Sequence, residues 1–111
     1  MPPRKKIVII GSGFAGLSAA CFLAKDGHNV TILEKNGVGG GRARQFKTGG
    51  FTFDMGPSWY WMPEVFDNFF KSFGKSTLEN YNLIRLSPSY SIFFGQNEIM
   101  DLPDERSGLF E

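Results

Sequence analysis

At 111 residues the chain is long enough for one small domain with a modest core and too short for a two-domain redox enzyme of ordinary size. Hydrophobic residues at 41% and charged residues at 21% argue against a disordered chain, and a net charge of +1 without a basic stripe argues against nucleic acid as a partner. The single Cys excludes an internal disulfide and any paired-thiol redox or zinc motif, which fits a reducing cytoplasm, and no apolar run approaches membrane-spanning length.

The basic start, Met1 to Lys6, is followed by only four apolar residues before Gly11, too few for a secretory signal. Those four, Ile7 to Ile10, form a β-branched run without polar alternation, the pattern of a strand buried on both faces of a parallel sheet. From Phe14 to Asp26 the residues Phe14, Leu17, Ala20, Cys21 and Ala24 recur at helical spacing, and Gly27 stands where a left-handed residue would stop the helix. Cys21 reads as core packing and His28 as a solvated turn residue. Val30 to Leu33 is a second β-branched strand. The loop from Asn36 to Gly41 holds too many glycines for helix or strand. Ala43–Phe46 and Phe51–Phe53 flank Thr48-Gly49-Gly50 and predict a small hairpin. Pro63 opens a helix whose Val65, Phe66, Phe69, Phe70 and Phe73 share one face until Gly74. Leu83–Leu86, Tyr90–Phe94 and Glu98–Leu102 read as strands, with a turn at Gly95-Gln96-Asn97. A new segment opens at Asp104 and the chain stops at Glu111 without a capped element, which reads as truncation.

Gly11-Ser12-Gly13-Phe14-Ala15-Gly16 has the spacing GxGxxG. The first glycine permits the turn off the strand, the second lets a pyrophosphate approach the backbone, and the third allows close packing of helix on strand. The helix start adds free N–H groups and a partial positive charge of roughly +0.5 for the phosphates. Glycine-rich turns alone are common. Here a strand precedes, a helix follows, and the second strand ends in Glu34, whose carboxylate can accept hydrogen bonds from ribose hydroxyls and would repel a 2′-phosphate. The bland alternative for Glu34 is a solvated charge at a strand end. No nucleophile–base pair or metal-ligand spacing stands out, so no metal is expected and the catalytic residues are unassigned.

A nicotinamide dehydrogenase would continue from the second strand into a helix and a third parallel strand. This chain instead runs through a glycine loop to Gly40-Gly41-Arg42. With Gly11–Gly16, Leu33-Glu34-Lys35, Gly40-Gly41-Arg42-Ala43-Arg44 and Phe51 to Ser58, the chain resembles the flavoproteins related to amine oxidases. Through Trp59-Tyr60-Trp61-Met62-Pro63 it is similar to their phytoene desaturase subgroup. The likeness covers Lys6 to about Phe94.

That resemblance implies an α/β fold: a Rossmann-like FAD-binding βαβ unit, a small hairpin, an amphipathic helix, and the start of an antiparallel substrate-domain sheet. Residues 1–58 would belong to the FAD-binding domain and 59–111 to the substrate domain. The cofactor would be FAD, held by Gly11, Ser12, Gly13, Phe14, Ala15, Gly16, Glu34, Lys35, Gly40, Gly41, Arg42, Met55 and Gly56. Arg42 can fork onto phosphate oxygens, or it is a surface arginine after a flexible loop. Arg44 is either surface or substrate-side. Met55-Gly56-Pro57 would pass the isoalloxazine edge, or form an ordinary turn stiffened by Pro57. Relatives often carry proline before the paired glycines, where this chain has Gly39, a departure that could loosen the loop.

The reaction implied is hydrogen removal from a long isoprenoid with hydride passing to flavin, and the partner a long apolar polyene collected at the inner face of a membrane. Trp59, Tyr60, Trp61 and the Phe face of the helix from Pro63 to Phe73 could serve such contact; for the Phe stripe and for the two Trp, core packing is the competing reading. Relatives are several times longer, so a returning carboxy-terminal part would complete the site, and the fragment alone would bind FAD poorly. The alternatives are a related FAD amine oxidase or carotenoid isomerase, or a non-catalytic nucleotide-binding module.

Overall fold

The computed structural model describes residues 3–56, 59–95 and 97–104. Pro57 and Ser58 after Gly56, Gln96 in the second turn, and the segment after Asp104 fall outside these residues. The chain divides into two compact units, Met1–Phe69 and Phe70–Glu111.

The first unit opens with β1 (Lys6–Ile10), α1 (Phe14–Lys25) and β2 (Asn29–Leu33). The two strands pair in parallel, from Lys6 opposite Asn29 to Ile10 opposite Leu33. Parallel neighbours need a crossover, and α1 provides it. The stop signal at Gly27 acts as expected: Gly27 takes φ 86°, its N–H donates to Ala24 O, and the His28 N–H donates to Leu23 O, both at 3.0 Å. This pair of bonds is a Schellman motif. It turns the chain directly into β2, where the Asn29 N–H donates to Lys5 O at 2.8 Å.

The helix faces the sheet through Gly16, Ala20 and Leu23. A Cβ on Gly16 would collide with the Gly11 carbonyl and reach 3.4 Å from the Ile9 side chain. The face expected from sequence is therefore rotated. Ala20 is its one buried member, and Cys21 is exposed, not core. The reason is that α1 is apolar on several sides, because two different surfaces claim it. Phe14 meets Phe66 edge-on at 5.7 Å and Phe22 meets Phe69 at 5.8 Å, so part of the apolar character serves the second helix, α2 (Pro63–Ser72). Each such ring pair contributes about 0.5–1.5 kcal/mol beyond area burial. Val65, expected in the same stripe, is exposed.

β1 also departs from the expectation of burial on both faces. Ile7, Ile9, Val30 and Ile32 are half-buried, while Val8, Leu33 and above all Ile10, at 88% exposure, are open. Among the described residues there is a helix for one face of this sheet and none for the other.

Between β2 and the hairpin, Gly40 and Gly41 take φ of 108° and 61° and wind Gly41–Ala43 into a turn of 3-10 helix. The first hairpin strand consequently begins later than expected, as β3 (Gln45–Thr48), and pairs antiparallel with β4 (Phe51–Asp54). Gly49 and Gly50, both with positive φ, form the tight turn that the strand twist favours. Phe46 lies opposite Phe53 and stacks on it at 4.9 Å.

In the second unit, a 3-10 turn (Thr77–Glu79) is closed by a reciprocal Ser76–Glu79 capping box and buries Thr77. β5 (Tyr90–Phe93) and β6 (Ile99–Leu102) form an antiparallel pair, as expected. Leu83–Leu86 is not a strand. No strand among the described residues lies beside it, and Arg85 is instead forked onto Asp104, Nε to Oδ2 at 2.7 Å and a terminal nitrogen to the backbone oxygen at 2.8 Å.

Gly16→Ala is expected to cost about 1–3 kcal/mol of stability through overpacking against backbone. Gly37→Ala, where an added Cβ meets nothing, should change stability by no more than about 0.5 kcal/mol. Urea unfolding followed by circular dichroism measures both.

Candidate functional site

Ligands of open α/β sheets settle outside the carboxyl ends of parallel strands. At that end of β1 and β2 lies a cleft of about 510 Å³. Ile10, Gly11 and Gly13 line it from the first turn, and Leu33, Glu34, Lys35 and Asn36 from the end of β2. Gly41, Arg42 and Arg44 line it from the glycine loop, and Met55 from the residue after β4.

The turn is held open by main-chain bonds. Gly11, at φ 96°, extends the parallel ladder by donating its N–H to Leu33 O at 2.7 Å. Gly13 then caps α1 without any side chain, and Leu17 N–H donates back to Gly13 O at 2.9 Å. The amides that open the helix, at Phe14 and Ala15, have no carbonyl one turn earlier to bond and remain available to an anion. The Phe14 side chain itself is spent on Phe66.

The glycine loop comes back onto this turn. Gly40 N–H donates to Ser12 O at 2.8 Å. A Cβ on Gly41 would stand 3.0 Å from Gly13 Cα, and one on Gly39 would stand 3.0 Å from Ser12 Oγ. The extra glycine at position 39 thus relieves crowding over Ser12. Gly56 is likewise packed by its lack of a side chain, since a Cβ there would strike the Arg42 carbonyl. This gives Gly56 a reason to be glycine independent of any ring beside it.

Glu34 lies at the mouth of the turn. Its Oε2 accepts from Ser12 N–H and Ser12 Oγ, both at 2.8 Å, and its Oε1 accepts from Asn36 N–H at 2.9 Å and Asn36 Nδ2 at 2.7 Å. Its pKa falls from the usual 4.5 to about 2. The Ser12 N–H is the largest cause, followed by the Asn36 N–H and the Ser12 hydroxyl; desolvation opposes them, and the Asn36 amide adds a smaller lowering.

Lys35, Arg42 and Arg44 bring three cations to the cleft, and among the described residues none is paired with a carboxylate. Bare glycine backbone, a helix start and unpaired cations together suit the pyrophosphate of a dinucleotide.

Of the thirteen residues expected to contact the cofactor, seven line the cleft: Gly11, Gly13, Glu34, Lys35, Gly41, Arg42 and Met55. Ser12, Gly16, Gly40 and Gly56 lie behind it and shape the main chain, while Phe14 and Ala15 belong to the first turn of α1. Ile10, Leu33, Asn36 and Arg44 line it as well. Ile10 and Leu33 were discoverable as the last residues of two parallel strands, and Asn36 as an amide two positions after the acid.

The NAD(P)-binding Rossmann-like domain family matches residues 9–75, more than half of the chain, and the chain belongs to that family. Over most of its length it is also similar to carotenoid desaturases. It is 49% identical over 108 residues to a carotenoid 3,4-desaturase of Haloarcula japonica, covering 95% of this chain and 22% of that protein. It is 41% identical over 104 residues to a 4,4′-diapophytoene desaturase (4,4′-diaponeurosporene-forming) of Staphylococcus aureus, covering 94% of this chain and 21% of that protein. The chain therefore spans about a fifth of the length of these relatives.

Folded Glu34 releases its proton at lower pH than unfolded Glu34, so its contribution to stability is complete above about pH 4.5 and is lost as pH falls toward about 2. Wild-type unfolding curves should show that acid-side decline. In Glu34→Gln the component between pH 4.5 and 2 should be missing when urea unfolding is repeated across that range.

Proposed function

We propose that this chain supplies the ADP-binding part of an FAD-dependent desaturase acting on a long isoprenoid. The observation that carries the reading is the return of the glycine loop onto the first turn, through Gly40 N–H to Ser12 O and Gly41 against Gly13. A nicotinamide-binding unit would leave β2 through a helix toward a third parallel strand. Here the chain leaves β2 into a loop that doubles back, brings Arg42 to the cleft, and enters a hairpin. The desaturase relatives support the same reading, since both are named for introducing double bonds into carotenoid-type chains.

In this proposal residues 1–58 serve the cofactor and residues 59–111 begin the substrate domain. The amides of Phe14 and Ala15 and the Arg42 guanidinium hold the pyrophosphate, with Lys35 adding positive potential. Glu34 takes the adenosine ribose, and Met55 flanks the cleft at the end nearest the hairpin. FAD, when bound, supplies the hydride acceptor, and the work left to the chain is to fix the cofactor and exclude water around it. No acid–base pair is required of these residues.

The protein made from the longest product of its reading frame should be yellow, with flavin absorbance, and should extend the conjugation of a long isoprenoid. A colourless protein after reconstitution with FAD overturns the proposal. Arg42→Ala should weaken FAD binding about tenfold, the loss of a hydrogen bond to a charged group, measured by quenching of flavin fluorescence.

So apolar a substrate resides in lipid, and we place the working enzyme at the inner face of a membrane. It should then float with liposomes in a density gradient; recovery in the soluble fraction alone would rule this out.

A further inference from the structure

A carboxylate offers about four lone-pair positions. In Glu34 all four are taken by Ser12 and Asn36, each giving one backbone and one side-chain donor. A ribose hydroxyl can be accepted there only if one donor withdraws. The two N–H groups cannot withdraw without unmaking the turn or the end of β2, so one of the side chains must.

The two side chains are not equivalent. Ser12 is 7% exposed, does not line the cleft, and lies beneath Gly39. Its hydroxyl is shielded from solvent and stands outside the cleft lining, so the position it vacated would not open to a ligand. Asn36 is half-buried, lines the cleft, and carries its amide on a side chain free to rotate toward solvent. From this asymmetry we infer that the Asn36 amide is an exchangeable placeholder for a ribose hydroxyl on Glu34 Oε1, while Ser12 is the permanent clamp on Oε2. The inference rests on the nucleotide-binding reading above and assigns Asn36 the role of a positioning residue within it. Asn36 would keep the carboxylate aimed and satisfied before the nucleotide arrives, and would tax binding by the strength of the bond surrendered.

The test is a ligand-truncation cycle on the longest product of the reading frame, with ADP and 2′,3′-dideoxy-ADP as probes and calorimetry as readout. In wild type the hydroxyls exchange one hydrogen bond for another, so the two probes should differ little. In Asn36→Ala the hydroxyl bond is no longer offset, and ADP should bind roughly threefold or more tighter while dideoxy-ADP does not gain. Ser12→Ala should give no such gain for either probe. If Asn36→Ala weakens ADP, or shifts both probes equally, the placeholder role is wrong although nucleotide binding stands. If wild-type protein binds neither ADP nor FAD, the nucleotide reading itself has failed. Asn36→Leu, which keeps bulk without a donor, should give the same selective gain as the alanine variant, and failure to do so counts against the inference.

Discussion

The hydrogen bonding between Ser12 and Glu34 is the constraint from which the cleft takes its form. Ser12 donates twice to one carboxylate oxygen and accepts through its carbonyl from Gly40 N–H. One nearly buried residue thereby joins the strand-to-helix turn, the end of β2 and the returning loop. Hydrogen bonds to an ionised partner are stronger than neutral ones, and a chain of them in a partly dry setting reinforces itself. Without the carboxylate, Ser12 would keep a buried N–H with no acceptor, and the loop would lose the geometry that carries Gly41 and Arg42 to the cleft.

Much of this was readable from the residues. The β-branched runs, Gly27 as a helix stop and the spacing of Gly11, Gly13 and Gly16 each correspond to a local backbone demand, and local demands are what sequence records most directly. The hairpin turn at Gly49-Gly50 belongs to the same class. Orientation was less readable. α1 serves the sheet on one side and the phenylalanines of α2 on another, so its apolar spacing did not single out one inward face, and Cys21 lies outside it. Leu83–Leu86 has the composition of a strand, but strands are made by neighbours, and Arg85 found Asp104 instead.

The site shows the same division. Its glycines and its acid were legible because each follows from a conformational or electrostatic need. The saturation of Glu34 was not, because Asn36 reaches it only after β2 ends and the chain bends. Gly56 reads in sequence as cofactor-side or as part of an ordinary turn; what the fold adds is that its tightest neighbour is the carbonyl of Arg42. A glycine's absent side chain is visible in a sequence; which side the crowding comes from is a tertiary fact.

The approach of Gly41 to Gly13, and of Gly56 to the Arg42 carbonyl, means that the cradle is walled by peptide planes pressed against peptide planes. Such a wall has few side chains to exchange. Its contour is set by main chain and cannot be reshaped by exchanging side chains, whereas its rim, lined by Ile10, Lys35 and Arg44 among others, can be altered by substitution. Any change in what the hollow accepts would therefore have to begin at its margin.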